Sequence, residues 1–165
     1  MKVWTLLPLL ALGCAHGSRV PGAVDVEVDA RFGDARIDAI REALSSWETA
    51  TDGAVVFTMR VLPPGDLADA DGRIVVRDEA PDSTWPSIFG FTMRVPHDHN
   101  VRTSVLLRDD VGVGVFQISA THEFGHALGL DHYNGPEPTL MCARLVSDAP
   151  VPQPRDVVAL FDAWK

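Results

Sequence analysis

Residues 122–132 read His-Glu-Phe-Gly-His-Ala-Leu-Gly-Leu-Asp-His. No other stretch limits the fold of this chain so tightly. It asks one helix to aim two imidazoles at a single point and then to stop and reverse. Positions four apart in an α-helix stand about 40° apart round the axis and about 6 Å apart along it. His122 and His126 can therefore reach one ion. Glu123, next to the first of them, can reach a water on that ion without binding it. Gly129 takes a left-handed helix cap without a Cβ clash, and the reversal it permits can bring back His132. Three histidines leave a fourth position open, which separates a catalytic zinc from a structural one.

Met141 follows nine residues after His132. With it, the stretch resembles the metzincin clan of zinc peptidases, whose motif HExxHxxGxxH precedes a methionine-containing turn. HEFGHALGLDH followed by TLMC is most similar to the matrixin (matrix-metalloproteinase-like) families. The resemblance covers residues 23–165. It implies an α+β, zincin-like fold: a twisted mixed five-stranded sheet with two long helices on one face, then a small C-terminal subdomain with the Met-turn and a final helix. It implies one catalytic Zn2+ and places Met141 as an apolar floor beneath the histidines. It also implies a polypeptide substrate lying extended along strand 88–95, added to the sheet edge by main-chain hydrogen bonds. The loop 142–153 would form the outer wall of the pocket beyond the cut, where Arg144 could favour an acidic side chain or simply stand exposed.

The N-terminus carries a different signal. Lys2 precedes a mostly apolar run at 3–12, too short for a lasting membrane span of about 20 residues but suited to a signal peptide. Ala11-Leu12-Gly13 before Cys14 resembles a bacterial lipoprotein signal, with Cys14 as the lipidated first residue. Ala11-x-Gly13 also suits ordinary secretory cleavage, so secretion is the alternative to a lipid anchor in the cell envelope. The expected organisation is a signal at 1–13, a tether at 14–22 and one catalytic domain at 23–165. About ten residues between signal and first strand leave no room for a folded prodomain, so no zymogen switch is expected. A formal charge of −9 argues against a nucleic-acid partner, and a monomer is expected. Cys142 is the only other cysteine.

Along the chain, Val24, Val26 and Val28 alternate with acids in a half-buried strand at 23–30. Asp34 is placed to cap a helix carrying Ile37, Ile40, Leu44 and Trp47, which Thr51-Asp52-Gly53 ends. Further strands are expected at 54–62, 72–78 (fully buried), 88–95 and 101–108, with a polar turn at 96–100. The zinc helix is expected over 115–130, with Phe116, Ala120, Phe124, Ala127 and Leu128 toward the sheet. A last helix over 155–164 would pack through Val158, Ala159 and Phe161.

Zinc on three neutral histidines acidifies water, and Glu123 would take its proton and hand it to the leaving amine. Tyr133 stands where matrixins carry serine; it can stabilise an oxyanion or pack against the Met141 turn, and both roles stay open. His97-Asp98-His99 is the one candidate for a second metal or, as readily, a solvated turn. Asp69/Asp71 and Asp109/Asp110 are the places for Ca2+, which needs six to eight oxygens, more than any loop here supplies. The leading reading is an exported zinc endopeptidase. A zinc amidase acting on cell-wall or other non-peptide amides, and a non-catalytic surface-anchored binding protein, are the alternatives.

Overall fold

A computed structural model describes residues 23–68, 71–78, 89–97, 100–143 and 149–165. The expected signal, tether and Cys14 lie outside the described residues, as do Asp69, Ile88, Asp98, His99 and Arg144. The elements are β1 (Ala23–Asp29), α1 (Gly33–Ala50), β2 (Val56–Leu62), β3 (Arg73–Asp78), β4 (Gly90–His97), β5 (Asn100–Leu107), α2 (Val113–Leu128) and α3 (Pro154–Ala163). The fold is α+β, with a mixed five-stranded sheet in the order β2-β1-β3-β5-β4. Only β4 runs antiparallel to its neighbour. Among the described residues no helix is long and apolar enough to cross a membrane.

Strand periodicity puts Val26, Val28, Ile74, Val76, Val105 and Leu107 on one face, where they share a core with Ile40, Leu44, Trp47, Phe116, Ala120, Phe124 and Leu128 of the two long helices. α2 thus shows the sheet the residues its 3.6 period predicts, with Ala127 partly buried beside them. The continuous run Ile74-Val75-Val76 is buried on both faces, at 3%, 1% and 0% exposure. β1 departs from a simple half-solvated strand. Glu27 and Asp29 are both buried, because β1 is flanked by β2 and β3 and its second face is covered by ion pairs. Glu27 accepts from Arg60 and Arg73, each at 2.9 Å, and Asp29 accepts from the backbone and guanidinium of Arg31. A buried carboxylate persists only with such partners.

Several boundaries move for identifiable reasons. Asp29 starts a 3-10 turn at Ala30–Phe32, so Phe32 occupies the N-cap of α1 and Asp34 sits inside the first turn, where its charge suits the helix dipole. The expected polar turn at 96–100 is largely strand: Pro96 pairs with Val101 and His97 with Asn100. An edge strand tolerates Pro96 because its missing N–H is not needed. α2 starts and stops two residues earlier than expected; Gly129 adopts φ 111°, and Leu130 N–H returns to Gly125 O at 2.9 Å. On α3 the buried positions are Asp156 and Leu160, while Val158 is 60% exposed and Phe161 is partly buried. The phase is set by Asp156, drawn under the segment 139–141 as described below.

Trp47 is fully buried and its indole N–H donates to Thr121 O at 2.8 Å, fastening α1 to α2. Trp47→Ala should lower unfolding stability by about 3–5 kcal/mol in chemical denaturation. A loss under about 1 kcal/mol would show that the two helices do not depend on this contact.

Candidate metal centre

The last two turns of α2 carry His122, Glu123 and His126, and the left-handed turn at Gly129 carries the chain round to His132. The three Nε2 atoms stand 3.1, 3.1 and 3.3 Å from one another. They form the single cluster of histidine, cysteine and acidic side chains able to hold a metal ion found among the described residues. Nitrogens bound to zinc at 2.0–2.1 Å in tetrahedral directions stand about 3.3–3.4 Å apart, so the spacing fits.

The hydrogen bonds on the far side of two rings decide what the near side is. His122 Nδ1 lies 2.7 Å from Leu140 O and His126 Nδ1 lies 2.7 Å from Leu130 O. A carbonyl oxygen only accepts, so both Nδ1 atoms carry the proton and both Nε2 atoms present bare lone pairs. Lone pairs that meet at about 3 Å repel unless a cation shares them, which is the strongest argument for a metal at this point. Orientation of a histidine ligand by a carbonyl on its other nitrogen is the usual supporting arrangement. Burial, aided by the neighbouring His126 and His132, pushes His122 down to about 4 against the pull of its carbonyl. Burial also lowers His126.

The floor of the site is built from α1, α2 and the turn at Met141. A Cβ on Gly125 would strike Met141 Sδ and come within 2.9 Å of Trp47 Cζ2. Glycine at this position lets the sulfur and the indole lie directly against the helix between His122 and His126. Met141 itself is 2% exposed. The turn is pinned from both sides: Tyr133 N–H donates to Met141 O at 2.7 Å, and Asp156 accepts from Leu140 N–H at 3.1 Å and Met141 N–H at 3.4 Å. Asp156 also closes a capping box with Gln153 at the start of α3. Because Leu140 also supplies the carbonyl that orients His122, Asp156 acts on the histidine through one residue of backbone. Its signal in the sequence is Gln153-Pro154-Arg155-Asp156, a capping-box spacing.

Glu123 is 6% exposed. Burial raises its carboxyl to about 7, against the lowering effect of a hydrogen bond from Thr92. Thr92 Oγ1 lies 2.6 Å from Glu123 Oε2. Tyr133, left with two roles by the sequence, donates its hydroxyl to Glu137 at 2.8 Å and lies under the Arg155 guanidinium, 4.5 Å from the ring centre. Its ring packs partly buried on the core beside the Met141 turn. The second-metal candidate, His97-Asp98-His99, falls largely outside the described residues. In the acidic pairs, Asp71 is bonded to Arg102 at 2.8 Å and Asp110 is paired with Arg108. Cys142 is partly buried and forms no disulfide among the described residues.

No protein-family model matches the chain, and no curated protein matches it. Among solved structures, it is similar to high choriolytic enzyme 1, a hatching-enzyme zinc protease of the medaka fish Oryzias latipes. Identity is 14%, the TM-score is 0.43, and the match covers 80% of this chain and 54% of that one. This chain therefore spans about half the length of that structure.

His122 and Glu123 give the metal-free protein opposed pH responses. His122, depressed from 6.5 to about 4, contributes stability above pH 6.5 that is lost as pH falls toward 4. Glu123, raised from 4.5 to about 7, contributes stability below pH 4.5 that is lost as pH rises toward 7. Between about 4.5 and 6.5 unfolding takes up one proton and releases another, so the two slopes offset. Glu123→Gln removes one of them. In chelator-treated protein this variant should lose stability on acidification from pH 6.5 to 4.5 more steeply than wild type, by at most about 1.4 kcal/mol per pH unit. Parallel unfolding profiles for the two proteins would contradict the assignment.

Proposed function

We propose that this protein is a zinc-dependent endopeptidase of metzincin type, with His122, His126 and His132 as ligands and Glu123 as general base and acid. The observation that carries the reading is the convergence of three imidazole Nε2 atoms within 3.3 Å, two of them locked as bare acceptors, beside a buried carboxylate. Zinc held there would supply a Lewis acid that polarises an amide carbonyl and acidifies water. The chain's own residues supply the rest. Leu140 and Leu130 carbonyls keep His122 and His126 in the donor tautomer. Glu123 takes the proton as water attacks the amide carbon and delivers it to the departing nitrogen. Glu123 is suited to that exchange by its burial beside the first ligand, His122.

Met141 is the Met-turn residue in this reading, supporting the histidines through Gly125 and not binding the ion. The substrate would be a polypeptide in extended form, paired with the edge strand β4 by main-chain hydrogen bonds. β4 is an outer strand of the sheet and packs beside α2, next to Glu123, which supports that placement. The residues at 1–14 support export, with a lipid anchor on Cys14 in the cell envelope.

Purified protein loaded with zinc should cleave casein and lose that activity on chelation. Glu123→Ala should reduce kcat by about 10²–10⁴-fold while leaving zinc content intact. Casein cleavage that survives both treatments would overturn the peptidase reading, and release of fragments from peptidoglycan but not casein would replace it with an amidase.

A further inference from the structure

We propose that Thr92 is the positioning residue for Glu123, holding one carboxylate oxygen so that the other exchanges the proton. The inference rests on the peptidase reading and deepens it.

Successive side chains of β4 point to opposite faces. Phe91, Met93 and Val95 are 44%, 46% and 46% exposed on one side of the strand, and Thr92 turns to the other, toward α2. Its hydroxyl has one proton and two acceptors in reach, Glu123 Oε2 at 2.6 Å and Glu123 O at 3.0 Å. A hydroxyl bonded to a carboxylate makes the shorter, stronger contact, and here the shorter contact is to Oε2. Among the described residues no hydrogen bond ties Oε1. The two oxygens are therefore inequivalent: one anchored, one available.

Two residues earlier on the same face of β4, Gly90 closes the other side of the cradle. A Cβ there would stand 2.7 Å from Glu123 Cγ and 3.1 Å from Oε1, with Leu107 Cδ2 also at 3.1 Å behind it. Position 90 has no room for a side chain while Glu123 keeps this rotamer. Glutamate is long and flexible, and it sits next to a ligand on a helix that does not itself fix its outer torsions. Gly90 and Thr92 supply that constraint from a different element. The strand that would receive the substrate backbone thus also orients the base, which ties proton transfer to the register of the bound peptide. A reacting group misplaced by about 1 Å can cost about 10²-fold in rate, so one hydrogen bond at this position has a measurable share in turnover.

The test uses the zinc-loaded full domain and the variants Thr92→Val, which keeps the shape and removes the donor, and Thr92→Ser, which keeps the donor. Thr92→Val should lower kcat by about 10- to 100-fold with KM within about 3-fold. Thr92→Ser should restore most of that loss. Zinc content and melting temperature should match wild type in both. A crystal structure of Thr92→Val should show the Glu123 carboxylate displaced, and that of Thr92→Ser should show it in place. Wild-type kcat in Thr92→Val, an undisplaced carboxylate, or an equal loss in Thr92→Ser would overturn the proposal while leaving an active wild-type enzyme and the peptidase reading standing. A wild-type protein that turns over no better than Glu123→Ala would overturn both.

Discussion

Everything in this molecule that bears on its chemistry depends on forcing three imidazole nitrogens to face one another. Left alone, His122 and His126 would rotate so that their lone pairs parted. The carbonyls of Leu140 and Leu130 prevent this by taking the Nδ1 protons. Neither carbonyl belongs to the regular part of the helix that carries the histidines. Leu130 lies just past the left-handed turn at Gly129, and Leu140 lies in the turn that ends at Met141. The site therefore assembles only if the chain reverses after α2 and returns beneath it.

That return is held by interactions distributed over four elements. Asp156 on α3 binds the backbone of residues 140 and 141, Tyr133 N–H binds Met141 O, and Gly125 leaves space for the methionine sulfur. Trp47 on α1 reaches the same glycine and bonds to Thr121 O, so the first helix also bears on the spacing of the histidines. On the opposite side, β4 contributes Gly90 and Thr92 around Glu123. Sheet, both long helices and the final helix each meet the site at a different atom. This explains why a short motif needs most of a domain behind it.

Much of this was legible in the sequence. The spacing of His122, His126, Gly129 and His132 specified a helix, a left-handed stop and a convergent set, and the structure has each of them. The alternation of Val26 and Val28 and the unbroken Ile74-Val75-Val76 located the sheet and its core. What escaped was set by tertiary partners. Glu27 and Asp29 looked like solvent-facing residues of a half-buried strand, and they are buried because Arg60, Arg73 and Arg31 lie within reach across neighbouring strands and a local turn. Hydrophobicity points to Val158 on the packing face of α3, whereas the helix is phased by the buried Asp156, which accepts from backbone N–H groups. Thr92 gave no signal of its own, since a threonine in a strand is ordinary until the strand is seen to lie against Glu123.

The central claim is that the three histidines share one zinc ion. X-ray absorption at the zinc edge, on protein reconstituted with one equivalent of zinc, tests it most directly. The account predicts a single tightly held ion with three imidazole nitrogens at about 2.0–2.1 Å and a light atom completing the set. A shell containing sulfur from Cys142, or failure to retain stoichiometric zinc, would contradict it.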